Sequence, residues 1–242
     1  MVPHLSLVIP AFDEARRLPP TIEALHAFSS SLPFACEIII VIEKSRDNTL
    51  ALARDLVRDR PAFTVIDNLV QRGKGFAVRT GMLRSRGEFI FYMDADLSVP
   101  LREVHPFLAY FDAHPATALI IGNRQHARSH IVRRQSWLRR SLGQCFNLFL
   151  RSAGLVTIHD TQCGFKAFRR SAADAIFNRA RIDGFAFDVE VVLLAQRLGV
   201  AIADLPVEWT NSPASHVHIV RDSIRMVRDT LRARSYVRRL MD

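Results

Sequence analysis

Short apolar runs alternate along this chain with stretches whose apolar residues recur at helical spacing. Leu5-Ser6-Leu7-Val8-Ile9 reads as a strand stopped by Pro10. Arg17-Leu18-Pro19-Pro20 breaks the chain, and Thr21 caps a helix through Ile22, Leu25 and Phe28. Glu37 to Ile42 is apolar on both faces, the mark of a central parallel strand. Asp47-Asn48-Thr49 opens a helix through Leu52, Leu56 and Val57, and Phe63 to Ile66 is a third strand. Gly73-Lys74-Gly75 opens a helix through Val78 and Met82, followed by a strand over Phe89 to Met93. This alternation predicts βαβ units with right-handed crossovers, hence an α/β fold with a mostly parallel central sheet flanked by helices. Ligands of such sheets gather beyond the carboxyl ends of the strands. Those ends read Pro10-Ala11-Phe12-Asp13-Glu14, Glu43-Lys44-Ser45-Arg46-Asp47 and Asp94-Ala95-Asp96, so three acid-bearing ends share one rim.

The pattern loosens after Pro100. A helix is expected over Glu103 to His114, and a strand over Ala118 to Gly122 ending at Asn123-Arg124. Gln125 to Gln135 is polar, and Ser136 to Ala153 is helical with an aromatic-rich apolar side. Asp160 to Lys166 reads as an irregular polar stretch, Phe185 to Leu198 as a helix and Ile202 to Trp209 as a last strand. In the tail, Val220, Ile224, Val227 and Leu231 share one helical face, and Arg221, Arg225, Arg228, Arg232 and Arg239 share the adjacent one.

Length and composition narrow the class. A chain of 242 residues, 49% apolar and 24% charged, can bury one large core or two small ones. It divides into a domain over residues 1–215 and a basic amphipathic helical extension over 216–242. No run of 18 apolar residues encodes a membrane span. The leading stretch lacks the layout of a signal peptide. Cys36, Cys145 and Cys163 lack metal-ligand spacing and suggest a reducing, cytoplasmic setting. The net charge of +9 calls for an anionic partner: nucleic acid, acidic lipid or a phosphorylated substrate. No helix-turn-helix, RRM or zinc pattern supports nucleic acid.

Asp94 and Asp96 carry the sharpest chemical signal. Two carboxylates one residue apart at a strand end point to roughly one side and can share Mg2+ or Mn2+, leaving positions open for phosphate oxygens. A strand followed by an acidic turn reads the same way. Gln71-Arg72-Gly73-Lys74-Gly75 puts two cations where a helix begins, a setting that attracts phosphate, although it is no Walker A sequence. The basic tail suits either a membrane surface or a helix packed on the domain with a solvated side. His216-x-His218 has no further ligands nearby.

Together these residues resemble the family 2 glycosyltransferases, which have the GT-A fold. The resemblance is nearest to the dolichyl-phosphate β-glucosyltransferase branch and to bacterial relatives that glycosylate polyprenyl phosphates. It is carried by LSLVIPAFDEARRLP, GKGFAVRTGMLRSRGEFIFYMDADLSVP, DTQCGFKAFRR, GFAFDVEVVLLA and the tail around VRDSIRMVRD, in the family's order. It implies that Pro10, Ala11 and Glu14 hold the nucleoside part of a nucleotide-sugar donor, joined there by Glu43, Arg72 and Lys74. Asp94, Ala95 and Asp96 match the DxD motif that binds the donor diphosphate through a metal. Asp160, Gln162 and Cys163, and Phe187, Asp188 and Glu190, match stretches lining the sugar and acceptor region. Arg133, Arg134 and Arg139 lie where relatives carry basic residues near the lipid phosphate, and Arg124, Gln162 and His216 join them as acceptor-side candidates. The chain departs from the family in two places. Ile42 and Glu43 stand where an acidic pair is usual, with the first member contacting the base. His216 falls where relatives carry Gly-Ser-Lys.

The implied enzyme is an inverting, metal-dependent hexosyltransferase moving glucose from UDP-glucose to a polyprenyl or dolichyl phosphate. It works peripherally at the cytoplasmic face of an anionic membrane, and its partners extend to a membrane protein or a second copy of the chain. A phosphate monoester acceptor is mostly dianionic near neutral pH, its second pKa being about 6, so it needs no strong base. Asp160 and Asp188 serve as sugar-hydroxyl ligands, or as base if the acceptor is a sugar hydroxyl. Two alternatives stand beside this reading: a polysaccharide-synthesising family 2 transferase, and a degenerate nucleotide-sugar-binding member.

Overall fold

In the computed structural model, which describes residues 2–133, 158, 160–211 and 219–240, seven strands form one central sheet. The chain runs through β1 (Leu5–Ala11), α1 (Leu18–Ser31), β2 (Cys36–Glu43), α2 (Thr49–Leu56), β3 (Phe63–Asn68), α3 (Lys74–Arg84) and β4 (Phe89–Met93). It continues through α4 (Val104–Ala113), β5 (Leu119–Asn123), β6 (His130–Arg133), β7 (Phe165–Arg169), α5 (Arg170–Phe177), α6 (Phe187–Arg197), β8 (Ile202–Pro206), β9 (Glu208–Thr210) and α7 (Ile219–Arg238). The sheet order is β3-β2-β1-β4-β7-β5-β8. Every pairing is parallel except those of β7, which runs antiparallel to both β4 and β5. β6 and β9 form a separate two-stranded pair.

Alternate residues of the central strands enter opposite cores, as a period of two requires. Leu5, Leu7, Ile9, Ile38, Ile40, Ile42, Phe89 and Phe91 pack on one side, with Leu18, Ile22 and Leu25 of α1 and Phe107 and Phe111 of α4. Val8, Ile39, Val41, Ile90 and Tyr92 pack on the other, with Val78 of α3, Ile176 of α5, Val191 and Leu194 of α6, and Ala233 and Val237 of α7. Each such fully buried aliphatic side chain contributes about 1.5–3 kcal/mol relative to exposure. Through Ala233 and Val237 the C-terminal helix packs into this second core.

Several boundaries differ from the sequence reading. Pro10 lies inside β1 rather than stopping it. The β1–β4 ladder ends at Val8–Tyr92, so on that side the missing N–H interrupts no rung. Pro19 and Pro20 sit in the first turn of α1 rather than before it, where a helix has no N–H bonds to lose. Phe165–Arg169, expected to be irregular up to Lys166, is a central strand, and α5 follows it directly. The predicted last strand splits at Val207 into β8 and β9. The helix expected over Ser136 to Ala153 lies outside the described residues.

Candidate functional site

A cavity of about 610 Å3 opens at the carboxyl ends of β1, β2 and β4. Its lining includes Pro10, Ala11, Glu14, Glu43, Arg72, Lys74, Asp94, Ala95 and Asp96, so the whole predicted donor set converges on one space. Arg17, the Gly184–Ala186 stretch ahead of α6, and Arg225, Met226 and Asp229 of α7 also line it.

The Asp94-Ala95-Asp96 turn is tied down at each residue. Thr21 Oγ1 donates to the Ala95 carbonyl at 2.6 Å, which anchors the turn to α1. Ser98 donates to Asp96 Oδ1 from its backbone N at 3.0 Å and its Oγ at 2.7 Å. Leu97 takes a φ of +47°, a conformation that costs a branched residue about 1–2 kcal/mol and that the surrounding bonds hold in place. Both carboxylates face the cavity. Gly164 clears the space beside Asp94, since a Cβ there would come within 2.1 Å of Asp94 Oδ2. Two hard oxygen donors opening on a cavity fit Mg2+ or Mn2+, whose remaining positions ligand oxygens would fill. Among the described residues no cluster of three or more His, Cys, Asp or Glu side chains gathers for a metal.

Lys74 Nζ lies 2.6 Å from Asp94 Oδ1, over the face of Phe187. Burial alone would lower its pKa, but the charges of Asp94, Asp188 and Asp96 outweigh that and hold it above the ordinary lysine value. Arg17 donates to Glu14 Oε2 at 2.5 Å and approaches Asp96 Oδ2 at 3.9 Å, linking two cavity acids. The sequence reading passed over Arg17 and Gly164. Their roles depend on contacts with residues distant in sequence or on an absent side chain.

At the start of α3 the two amides before the helix are already engaged within the protein. The backbone N–H of Arg72 and of Gly73 both donate to the Glu43 carboxylate, at 3.2 and 2.9 Å. Gly73 adopts a φ of +129°, and a Cβ on it would meet the Asp183 carbonyl at 2.6 Å. The Arg72 guanidinium pairs with Asp183 at 2.6 Å. Burial raises the Glu43 pKa, against the lowering effect of those two amides. Any phosphate contact at this end therefore falls on side chains more than on these amides. Ile42 is buried in the core shared with α1 and α4, whereas its neighbour Glu43 reaches the cavity. The Ile42 side chain therefore points into the core and away from the cavity.

Asp160 and Asp188 do not line the cavity. Asp160 is fully buried and receives Arg124 Nε at 2.7 Å, Nη2 at 2.9 Å and the Arg124 backbone N at 3.1 Å. Burial would raise its pKa, but Arg124 brings it below the usual aspartate value, which makes it a poor base. Asp188 accepts from Tyr92 Oη at 2.5 Å and from Lys166 Nζ, and Lys166 also donates to the Cys163 carbonyl at 2.7 Å. Burial pushes the Cys163 thiol up to about 12. Glu190 caps the Arg181 and Ile182 amides instead of facing a ligand. Arg124, expected to hold a phosphate, is engaged with Asp160 and stacks on Trp209 at 5.6 Å. Gln162 Nε2 is buried with no hydrogen-bond partner among the described residues. Arg133 ends β6, and its side chain, with Arg134, Arg139 and His216, lies outside the described residues.

The sequence matches the family model for glycosyl transferase family 2 over residues 6–177. A dolichyl-phosphate beta-glucosyltransferase of Dictyostelium discoideum is 34% identical, with 96% of this chain and 74% of that protein covered. The human dolichyl-phosphate beta-glucosyltransferase is 31% identical, with 94% and 74% covered. Among solved structures, the Mycobacterium tuberculosis glucosyl-3-phosphoglycerate synthase in complex with Mn2+, UDP and phosphoglyceric acid is similar in fold. The TM-score is 0.67 at 17% identity, over 97% of this chain and 78% of that one.

Proposed function

The chain belongs to glycosyl transferase family 2 and has its GT-A fold; on that premise we propose that it transfers glucose from UDP-glucose to a polyprenyl or dolichyl phosphate, with inversion, at the cytoplasmic face of a membrane. The observation that supports this most strongly is the cavity floor, where Asp94, Asp96 and Lys74 meet beside Gly164. Asp94 and Asp96 would hold Mg2+ or Mn2+. When bound, the ion supplies Lewis-acid neutralisation of the departing diphosphate. Lys74 stays protonated and adds a fixed positive charge on the donor side. Glu43, Arg72 and Asp183 hold the loop before α3 against the α6 approach, which orients Lys74.

The state of the acids favours a phosphate acceptor over a sugar hydroxyl. A hydroxyl nucleophile needs a base to take its proton. Asp160 and Asp188, the two candidates for that work, are each bound to a cation outside the cavity. A phosphate monoester arrives ionised, its second pKa being about 6, and needs alignment only. In-line attack by its oxygen on the anomeric carbon breaks the bond to the diphosphate and inverts that carbon.

Incubating the protein with labelled UDP-glucose, Mg2+ and polyprenyl phosphate in vesicles tests the reading. The expected product partitions with lipid. Transfer to soluble glycans with no lipid product would instead establish the polysaccharide-type alternative.

A further inference from the structure

The C-terminal helix α7 has two faces with different surroundings. Thr230, Ala233 and Val237 are buried against the body, and Arg225, Met226 and Asp229 reach the cavity wall. On the outer side Ile224 is 68% exposed, Val227 37% and Leu231 48%. These three follow i, i+3, i+7 spacing and form one stripe. Arg228 and Arg232 beside them have largely exposed side chains. Ile219–Arg238 contains six arginines and two aspartates, a net charge of +4. An exposed apolar stripe edged by arginine suits the interface of an anionic bilayer, where both parts find a partner. A second copy would bring the same +4 helix and repel it.

The half of α7 carrying Ile224 and Val227 is also the half that closes the cavity. Beside it, a Cβ placed on Gly184 would find only Asp229 Oδ2 within 4 Å among the described residues, at 3.9 Å, so this stretch leaves room next to α7. Asp229 is engaged by Arg228 at 3.2 Å and Arg232 at 3.6 Å. Arg225 has no ion-pair partner among the described residues, although it lines the cavity. We propose that docking of α7 on an anionic bilayer sets its first half against the Gly184–Ala186 stretch and brings Arg225 to the bound diphosphate, so that the membrane itself tightens the donor site. This inference rests on reading the cavity as a nucleoside-diphosphate site.

Calorimetric titration of UDP with Mn2+ tests it under three conditions: buffer, phosphatidylcholine vesicles, and mixed phosphatidylcholine–phosphatidylglycerol vesicles, all free of polyprenyl phosphate. Affinity should rise roughly fivefold or more on the anionic vesicles alone. Replacing Ile224, Val227 and Leu231 together by Ser should abolish co-sedimentation with vesicles and the gain, while leaving affinity in buffer unchanged. Arg225→Gln should still co-sediment and lose the gain. Equal affinity in all three conditions would overturn the proposal, as would a triple variant that still co-sediments. Concentration-dependent dimers lost in the triple variant would make the stripe a contact between copies and overturn it too. Co-sedimentation without UDP binding under any condition would instead overturn the donor reading beneath it.

Discussion

Asp94 and Asp96 have side chains 38% and 19% exposed, whereas the side chains of Asp160 and Asp188 are 0% and 5% exposed. All four carry the same functional group, and the family resemblance implies a site role for all four. The open pair faces the cavity, with oxygens that a cation or ligand can reach. The closed pair is bound to Arg124 and Lys166, with hydrogen bonds from the Arg124 backbone and Tyr92. A buried carboxylate persists only with such partners, and they leave it little capacity for substrate. A motif match therefore locates an acid without assigning its work; burial and partner decide between chemistry and scaffold.

Substitutions should separate the two pairs. Asp94→Asn should lower kcat/KM by about 100-fold or more, as loss of one electrostatic contact in a preorganised site does. It should leave the urea midpoint nearly unchanged, because the side chain is partly exposed. Asp188→Ala should do the reverse in kind, costing about 3–5 kcal/mol of stability by leaving Lys166 buried and unpaired. Replacing the pair together, Asp188→Leu with Lys166→Met, should recover most of that loss in urea denaturation. If Asp188→Ala folds normally and loses only turnover, Asp188 belongs with the open pair.

Gly164→Ala sharpens the comparison with a smaller effect. Its Cβ would overlap Asp94 Oδ2 and displace that carboxylate. A shift of that size should cost about 10–100-fold in turnover, measurable alongside an unchanged circular dichroism spectrum.

Acid stability gives the gentlest test. Asp160 has a lowered folded pKa, so its contribution is present above the unfolded value of about 3.9 and lost as pH falls through the folded one. Glu43 has a raised folded pKa, so its contribution is present below about 4.3 and lost as pH rises through the folded value. Asp160→Asn and Glu43→Gln should therefore flatten opposite slopes of stability against pH. Slopes of the same sign would show that one of the two environments is misassigned.

The legible parts of this molecule were those set by local pattern. The apolar runs at Glu37–Ile42 and Phe89–Met93 located central strands, and their acidic ends located the cavity. What stayed hidden depends on distant partners. β7 looks irregular because FKAFR is short and includes two basic residues, and only β4 and β5 on either side make it a strand. Lys166 reads as a surface charge until Asp188, 22 residues away, removes it from solvent. Arg124 and Asp160 are 36 residues apart, so sequence alone offered them as two free site residues. The Arg72 and Gly73 amides, open to either a structural or a phosphate reading, are held by Glu43, which lies 30 residues before Gly73.

The most direct test of the open floor as the transfer site is the initial rate of lipid-linked glucose formation from UDP-glucose and polyprenyl phosphate, with and without Mn2+, in the native chain and in Asp94→Asn. Cation-dependent product in the native chain, reduced about 100-fold in the variant, is the expected result. A variant that transfers glucose at the native rate would contradict the account.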